Sequence, residues 1–128
     1  MYYLSSEEIL EIHDEILIKT GGLGGVLNEH ALLMLETQPA QSVFGQELYP
    51  NIFFKAAFYL RTINEGHIFI DGNKRTSITV VKIFLNRNNY SFELETNEVE
   101  KFTIRVVNNH LTLEEIALWI EKHSKVES

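Results

Sequence analysis

Along most of this chain the apolar residues recur every three or four positions, the spacing of one face of an α-helix. Ile9, Ile12 and Ile16, with Leu10 and Leu17 beside them, predict a first helix running to about Lys19. Ser5-Ser6-Glu7-Glu8 starts it with a capping box that pairs Ser5 with Glu8. A glycine-rich loop, Thr20 to Asn28, follows. Asn28 can cap a second helix through Glu36, which should bury Leu32, Leu33 and Leu35. Gln38 to Pro50 reads as an irregular connection whose Phe44 and Tyr49 either hold a partner or plug a gap. Pro50 suits the first position of a third helix. That helix carries Ile52, Phe53, Ala56, Ala57, Leu60 and Ile63 before Gly66 ends it. Thr76 to Leu85 has a single charge, Lys82, so a helix there must be buried on most sides. Past Asn88-Asn89, Tyr90 to Leu94 alternates like a short extended piece. Asn97 with Glu100 can start a helix holding Phe102, Val106 and Val107. Thr112 to Glu115 is a second capping box, for a last helix with Ile116, Trp119 and Ile120. The polar tail from His123 is expected to fray. These elements predict an all-α fold, a compact bundle of about six helices around a buried central one. With no linker and no internal repeat, residues 1–128 read as one domain.

One stretch departs from the helical pattern. Gly66 to Lys74 is polar and turn-rich, and it runs straight into the central helix. Asp71-Gly72-Asn73 is a turn in which Asp71 or Asn73 can cap that helix. Lys74 and Arg75 then fall in its first turn, where the helix already presents about half a positive charge. Two cations there call for an anion. With the free backbone N–H groups they describe a phosphate site. His67 can take a proton near neutral pH, and Asp71 can hold a hard cation such as magnesium. Each of these residues alone has an ordinary structural explanation; their concentration within nine positions does not. His13, beside the apolar stripe of the first helix, reads as a packing histidine.

Composition narrows the field. The chain is 128 residues long, 45% hydrophobic, with only seven glycines and two prolines, so it can bury a core. A net charge of −7 without any basic stretch disfavours direct nucleic-acid binding. The absence of cysteine excludes disulfides and thiolate chemistry. The N-terminus lacks the pattern of a signal peptide, and no apolar run approaches the length of a membrane span. A cytoplasmic location and no membrane partner are expected.

Several chemistries fail on spacing. The glycines of Thr20 to Asn28 do not fit a dinucleotide fingerprint. Gly66 and Gly72 are one residue too far apart for a phosphate-binding P-loop, and Asn73 separates Gly72 from Lys74. The five histidines form no close pair, which disfavours structural zinc. No serine nucleophile elbow is present. Phosphoryl or nucleotidyl transfer remains, because that chemistry needs mainly positioning, charge neutralisation and a base.

His67-Ile68-Phe69-Ile70-Asp71-Gly72-Asn73-Lys74-Arg75-Thr76 resembles the motif of the Fic/Doc family: histidine, phenylalanine two on, an acid two further, glycine or alanine, asparagine, glycine or lysine, arginine. Ile68 and Lys74, where many Fic proteins have proline and glycine, are typical of the death-on-curing (Doc) branch. Leu4 to Asp14, Gly21 to Leu27, Glu47 to Pro50 and Tyr90 also resemble Doc. The resemblance implies that His67 is the general base, Phe69 anchors the loop, and Asp71 binds magnesium or orients the reacting groups. It implies that Gly72 admits nucleotide phosphates to the backbone and that Asn73, Lys74 and Arg75 bind them. It implies a toxin that uses ATP and Mg2+ to phosphorylate a Thr or Ser hydroxyl of a translation elongation factor, restrained by a small antitoxin. Gly72 stands where Doc toxins often have alanine and Fic enzymes glycine, so Fic-type transfer of AMP is the alternative. A non-catalytic nucleotide- or anion-binding module is the second. The internal inhibitory motif of some Fic proteins has no match; Thr96 to Glu100 comes nearest, but Lys101 follows it.

Overall fold

A computed structural model of the chain describes residues 1–127. Its helices are α1 (Ser6–Thr20), α2 (Glu29–Thr37), α3 (Ile52–Glu65), α4 (Asn73–Arg87), α5 (Thr96–Asn108) and α6 (Leu113–Lys122). Four short strands complete it: β1 (Ser42–Val43), β2 (Gln46–Glu47), β3 (Tyr90–Phe92) and β4 (Ser124–Val126). The all-α reading holds. α3 and α4 form the axial pair, with α1, α5 and β3 against α4 and α2, α5 and α6 against α3. Burial follows that order. Ala56, Ala57, Tyr59, Leu60 and Ile63 of α3 and Val80, Val81, Phe84 and Leu85 of α4 are fully enclosed. The centre is therefore shared by two helices rather than held by one. No helix among the described residues is long and apolar enough to cross a membrane.

The two capping boxes form as their sequences predict. Ser5 accepts from the Glu8 N–H at 3.2 Å and Thr112 from the Glu115 N–H at 3.1 Å, and each glutamate reaches back to the cap backbone. Elsewhere local readings give way. Pro50 lies outside α3; Asn51 is the cap, accepting from the N–H groups of Phe53 and Phe54. α5 starts at Thr96, where the Glu95 N–H bonds the Glu98 carboxylate at 3.1 Å, two residues earlier than Asn97 with Glu100. Leu33 faces solvent, because α2 buries only Ala31, Leu32 and Leu35. Val107 is only half-buried. Trp119 is also half-buried and lies flat on Phe102, ring centroids 3.6 Å apart. The tail does not fray from His123: β4 pairs antiparallel with β3, Phe92 opposite Ser124. Ser128 lies outside the described residues.

The long connection before α3 contains a hairpin, β1–β2, with Val43 opposite Gln46. Phe44 and Gly45 at its tip both have positive φ, 51° and 78°, as a tight primed turn demands. Phe44 is fully exposed, whereas Tyr49 is buried and its hydroxyl donates to Gln38. Lys55 of α3 is fully buried beneath this segment, and its ammonium donates to the Pro39 carbonyl at 2.6 Å and Glu47 at 3.1 Å. That pairing supplies the partners a buried cation needs.

Candidate active site

The loop between α3 and α4 is held from three directions. Gly66 closes α3 with a right-handed conformation, φ −74°. The left-handed turn falls instead on His67, φ 44°. A non-glycine residue in that region stores strain of roughly 1–3 kcal/mol. Ile68 and Phe69 then go into the core, 0% and 1% exposed, while His67, Ile70 and Asp71 stay at the surface. Phe69 is thus the inward residue of the loop.

From one side the glycine-rich segment runs antiparallel to the loop. Leu27 donates its N–H to the Ile68 carbonyl at 2.7 Å, Ile70 donates to Gly25 at 3.2 Å, and Val26 pairs with Phe69. Asn28 caps α2 through Ala31 and donates its amide to the Gly66 carbonyl at 3.1 Å. Gly22 packs so close that a Cβ there would stand 3.1 Å from Asp71 Cβ. The next N–H, that of Leu23, donates to Asp71 Oδ2 at 2.7 Å. From the other side comes α1: the buried His13 lies on Phe69, centroids 3.7 Å apart, with Nε2 2.7 Å from the Asp71 carbonyl. His13 is buried and packs on the loop, as its place beside the apolar stripe suggests.

The third support is internal. Neither Asp71 nor Asn73 caps α4. The cap position is Gly72, left-handed at φ 85° and without a side-chain bond. Asn73 is the first helical residue, and its amide reaches back to Phe69, accepting from the N–H at 3.0 Å and donating to the carbonyl at 2.8 Å. Asp71 is diverted to Leu23. The expectation of a capping carboxylate or amide fails because both groups bond partners outside the helix start.

The result is a helix N-terminus with no side-chain cap, no acidic residue and two cations in its first turn. The first intrahelical bond to form is Thr76 N–H to Gly72 C=O, 3.0 Å, so the N–H groups of Asn73, Lys74 and Arg75 precede the ladder. Lys74 and Arg75 are exposed, and neither makes an ion pair among the described residues. Both open on a cavity of about 790 Å3 that His67, Asp71, Gly72 and Asn73 also line, a volume suited to a nucleotide-sized ligand. The motif residues singled out from the sequence thus converge, except Phe69, which lies beneath. The far wall was not foreseen. Ile104, Val107 and Asn108 of α5, Ile16 and Thr20 of α1, Asn64 of α3 and Ile70 of the loop complete the lining. No local pattern marks them, although half-exposed Ile104 and Val107 on one amphipathic helix hint at a second face. Asp71 offers one carboxylate oxygen not bonded to Leu23, and no cluster of three or more metal-ligating side chains occurs among the described residues.

Comparison with known proteins gives the family. The model of the Fic/DOC family matches residues 3–85. The protein kinase doc of Escherichia phage P1 is 27% identical over 124 residues, covering 91% of both chains. The toxin Doc of Mycolicibacterium smegmatis is 27% identical over 115 residues, covering 86% of this chain and 88% of its own. The chain belongs to the Fic/DOC family.

Proposed function

We propose that this Fic/DOC-family chain is a Doc-type toxin that transfers the γ-phosphate of ATP to a Thr or Ser hydroxyl of a translation factor. The observation that carries the reading is the unpaired Lys74–Arg75 pair on an uncapped helix end, facing one cavity with His67 and Asp71. A polyphosphate supplies the anion that this helix end otherwise lacks. The N–H groups of Asn73 to Arg75 and the two cations bind its oxygens, and left-handed Gly72 turns the backbone into that helix start. The name of the phage P1 relative, a protein kinase, supports phosphate as the transferred group.

The reaction is an in-line displacement. The hydroxyl oxygen of the target bonds to the γ-phosphorus, its proton passes to His67, the bond from that phosphorus to the β,γ-bridging oxygen breaks, and ADP leaves. His67 is exposed and lines the cavity from a left-handed backbone position. The available oxygen of Asp71 fits a magnesium ion held by one carboxylate and the phosphates, the usual arrangement for that ion. Bound there, the ion would neutralise charge on the phosphates. Lys74, in place of a glycine, fills space beside the phosphates with a long cation and favours the register that presents the γ-phosphorus. A small antitoxin would restrain the activity, consistent with relatives that are named Doc.

ATP carrying label at either the γ- or the α-phosphate, added to a bacterial lysate with the purified protein, tests the reading. Labelling of one protein from the γ-position is expected, and none with His67→Ala. Label from the α-position would establish AMP transfer instead. No label from either, with ATP still bound, would leave an anion-binding module.

A further inference from the structure

We propose that His13 is a positioning residue for the His67–Gly72 loop, acting through the peptide carbonyl of Asp71. The proposal rests on reading that loop as the transfer site. One ring, 2% exposed, touches three successive features of the loop. It lies parallel to Phe69, 3.7 Å between centroids and 8° between planes. Its Cδ2–Nε2 edge is 3.5 Å from where a Cβ would stand on Gly72. Its Nε2 is 2.7 Å from the Asp71 carbonyl oxygen. That oxygen can only accept, so Nε2 carries the hydrogen and donates it.

Packing alone does not require a donor at that atom. The carbonyl it meets belongs to the peptide joining Asp71 to Gly72, and the orientation of that peptide is shared by the Asp71 carboxylate before it and the left-handed Gly72 after it. Leu23 fixes the far end of the same residue through Oδ2. Asp71 is thus held at both ends by chain segments distant in sequence. Lys74 and Arg75 ride on α4, whose body packs on α1 and α3. Loss of the His13 N–H therefore disturbs Asp71 and the loop carrying His67 more than it disturbs the cations. Transfer rate should fall while ATP binding persists.

Two substitutions in the full chain separate the donor from the ring. His13→Phe keeps a flat ring on Phe69 and removes the N–H; His13→Leu serves if the longer ring prevents folding. His13→Gln restores an N–H near the Nε2 position. In His13→Phe, ATP binding by calorimetry should keep one site per chain and an affinity within about threefold, while kcat falls by about tenfold or more, as a misplaced reacting group predicts. Hydrogen exchange of the Leu23 amide should accelerate by about tenfold as the Asp71 anchor loosens. His13→Gln should recover most of both losses. Unchanged kcat and exchange in His13→Phe would overturn the proposal. So would an equal fall in kcat and in binding stoichiometry, or no recovery with Gln, since either leaves the ring acting by packing alone. Should the unmodified protein transfer no phosphate, the transfer reading fails by itself, and the Leu23 exchange rate decides whether His13 holds the loop.

Discussion

Two helix starts in this molecule obey opposite rules. α1 begins with Ser5 and Glu8 bonded reciprocally, Glu7 and Glu8 in its first turn, and the Arg87 guanidinium on Glu8. α6 repeats the scheme with Thr112, Glu114 and Glu115. Each such start satisfies its own backbone and offsets its dipole with residues a few positions away. α4 does neither. Its cap is a glycine, its first turn is basic, and the candidate caps Asp71 and Asn73 are bonded elsewhere. What keeps this end in place is tertiary: Phe69 in the core, His13 and Leu23 on Asp71, Asn73 on Phe69. The difference teaches that a helix end can be left electrostatically open when anchors from other segments replace its local cap, and an open end is what an anion needs.

The contrast breaks most severely at its anchor. Phe69→Ala removes a ring that is 1% exposed and stacked on His13, and should cost about 3–5 kcal/mol of stability by urea unfolding. A loss under about 1 kcal/mol would mean that the loop does not depend on that ring. Arg75→Ala keeps the fold and removes half of the charge at the open end. ATP affinity measured by calorimetry should weaken by about 1.5–3 kcal/mol, and unchanged affinity would place the anion elsewhere. Lys74→Glu turns the start of α4 into one like α1 or α6. Thermal unfolding should show a gain of about 0.3–1 kcal/mol while ATP binding is lost. A destabilised variant would show that the cations are already compensated.

The smallest effect is one of pH. Hydrogen bonds from the Arg87 guanidinium first, then from the Ser5 backbone, hold the Glu8 carboxyl below the usual carboxylate range. A pKa lowered on folding stabilises the protein fully above the usual range, and that stabilisation disappears as pH falls through the folded value. Acid unfolding of Glu8→Gln should therefore show a flatter acid limb. The start of α4 has no acidic residue in its first turn and should contribute nothing to that limb.

The capped starts were readable because their partners lie three residues apart; so were α3, α4 and the extended piece at Tyr90. Errors fell where a partner was distant or where two local solutions competed. Pro50 reads as the helix start, but Asn51 is the cap, because its side chain accepts from the N–H groups two and three residues on. The tail from His123 is polar, yet it pairs with β3 because the turn after α6 brings it alongside. Leu33 has the right period but the wrong face for so short a helix.

The site divides the same way. Its residue types, their order and the unfavourable charge at the start of α4 are written in the sequence, since a loop of nine residues and the helix after it are local chemistry. The sequence could not assign Asp71 to Leu23, Asn73 to Phe69, His13 to the Asp71 carbonyl, or Ile104 and Val107 to the far wall of the cavity. The Leu23, His13 and α5 placements join segments separated by tens of residues, and an amide or carboxylate with several possible partners bonds whichever the packed helices bring within reach. Only the tertiary structure selects among those partners, because burial makes an unmet hydrogen bond costly and the choice is settled over the whole core at once.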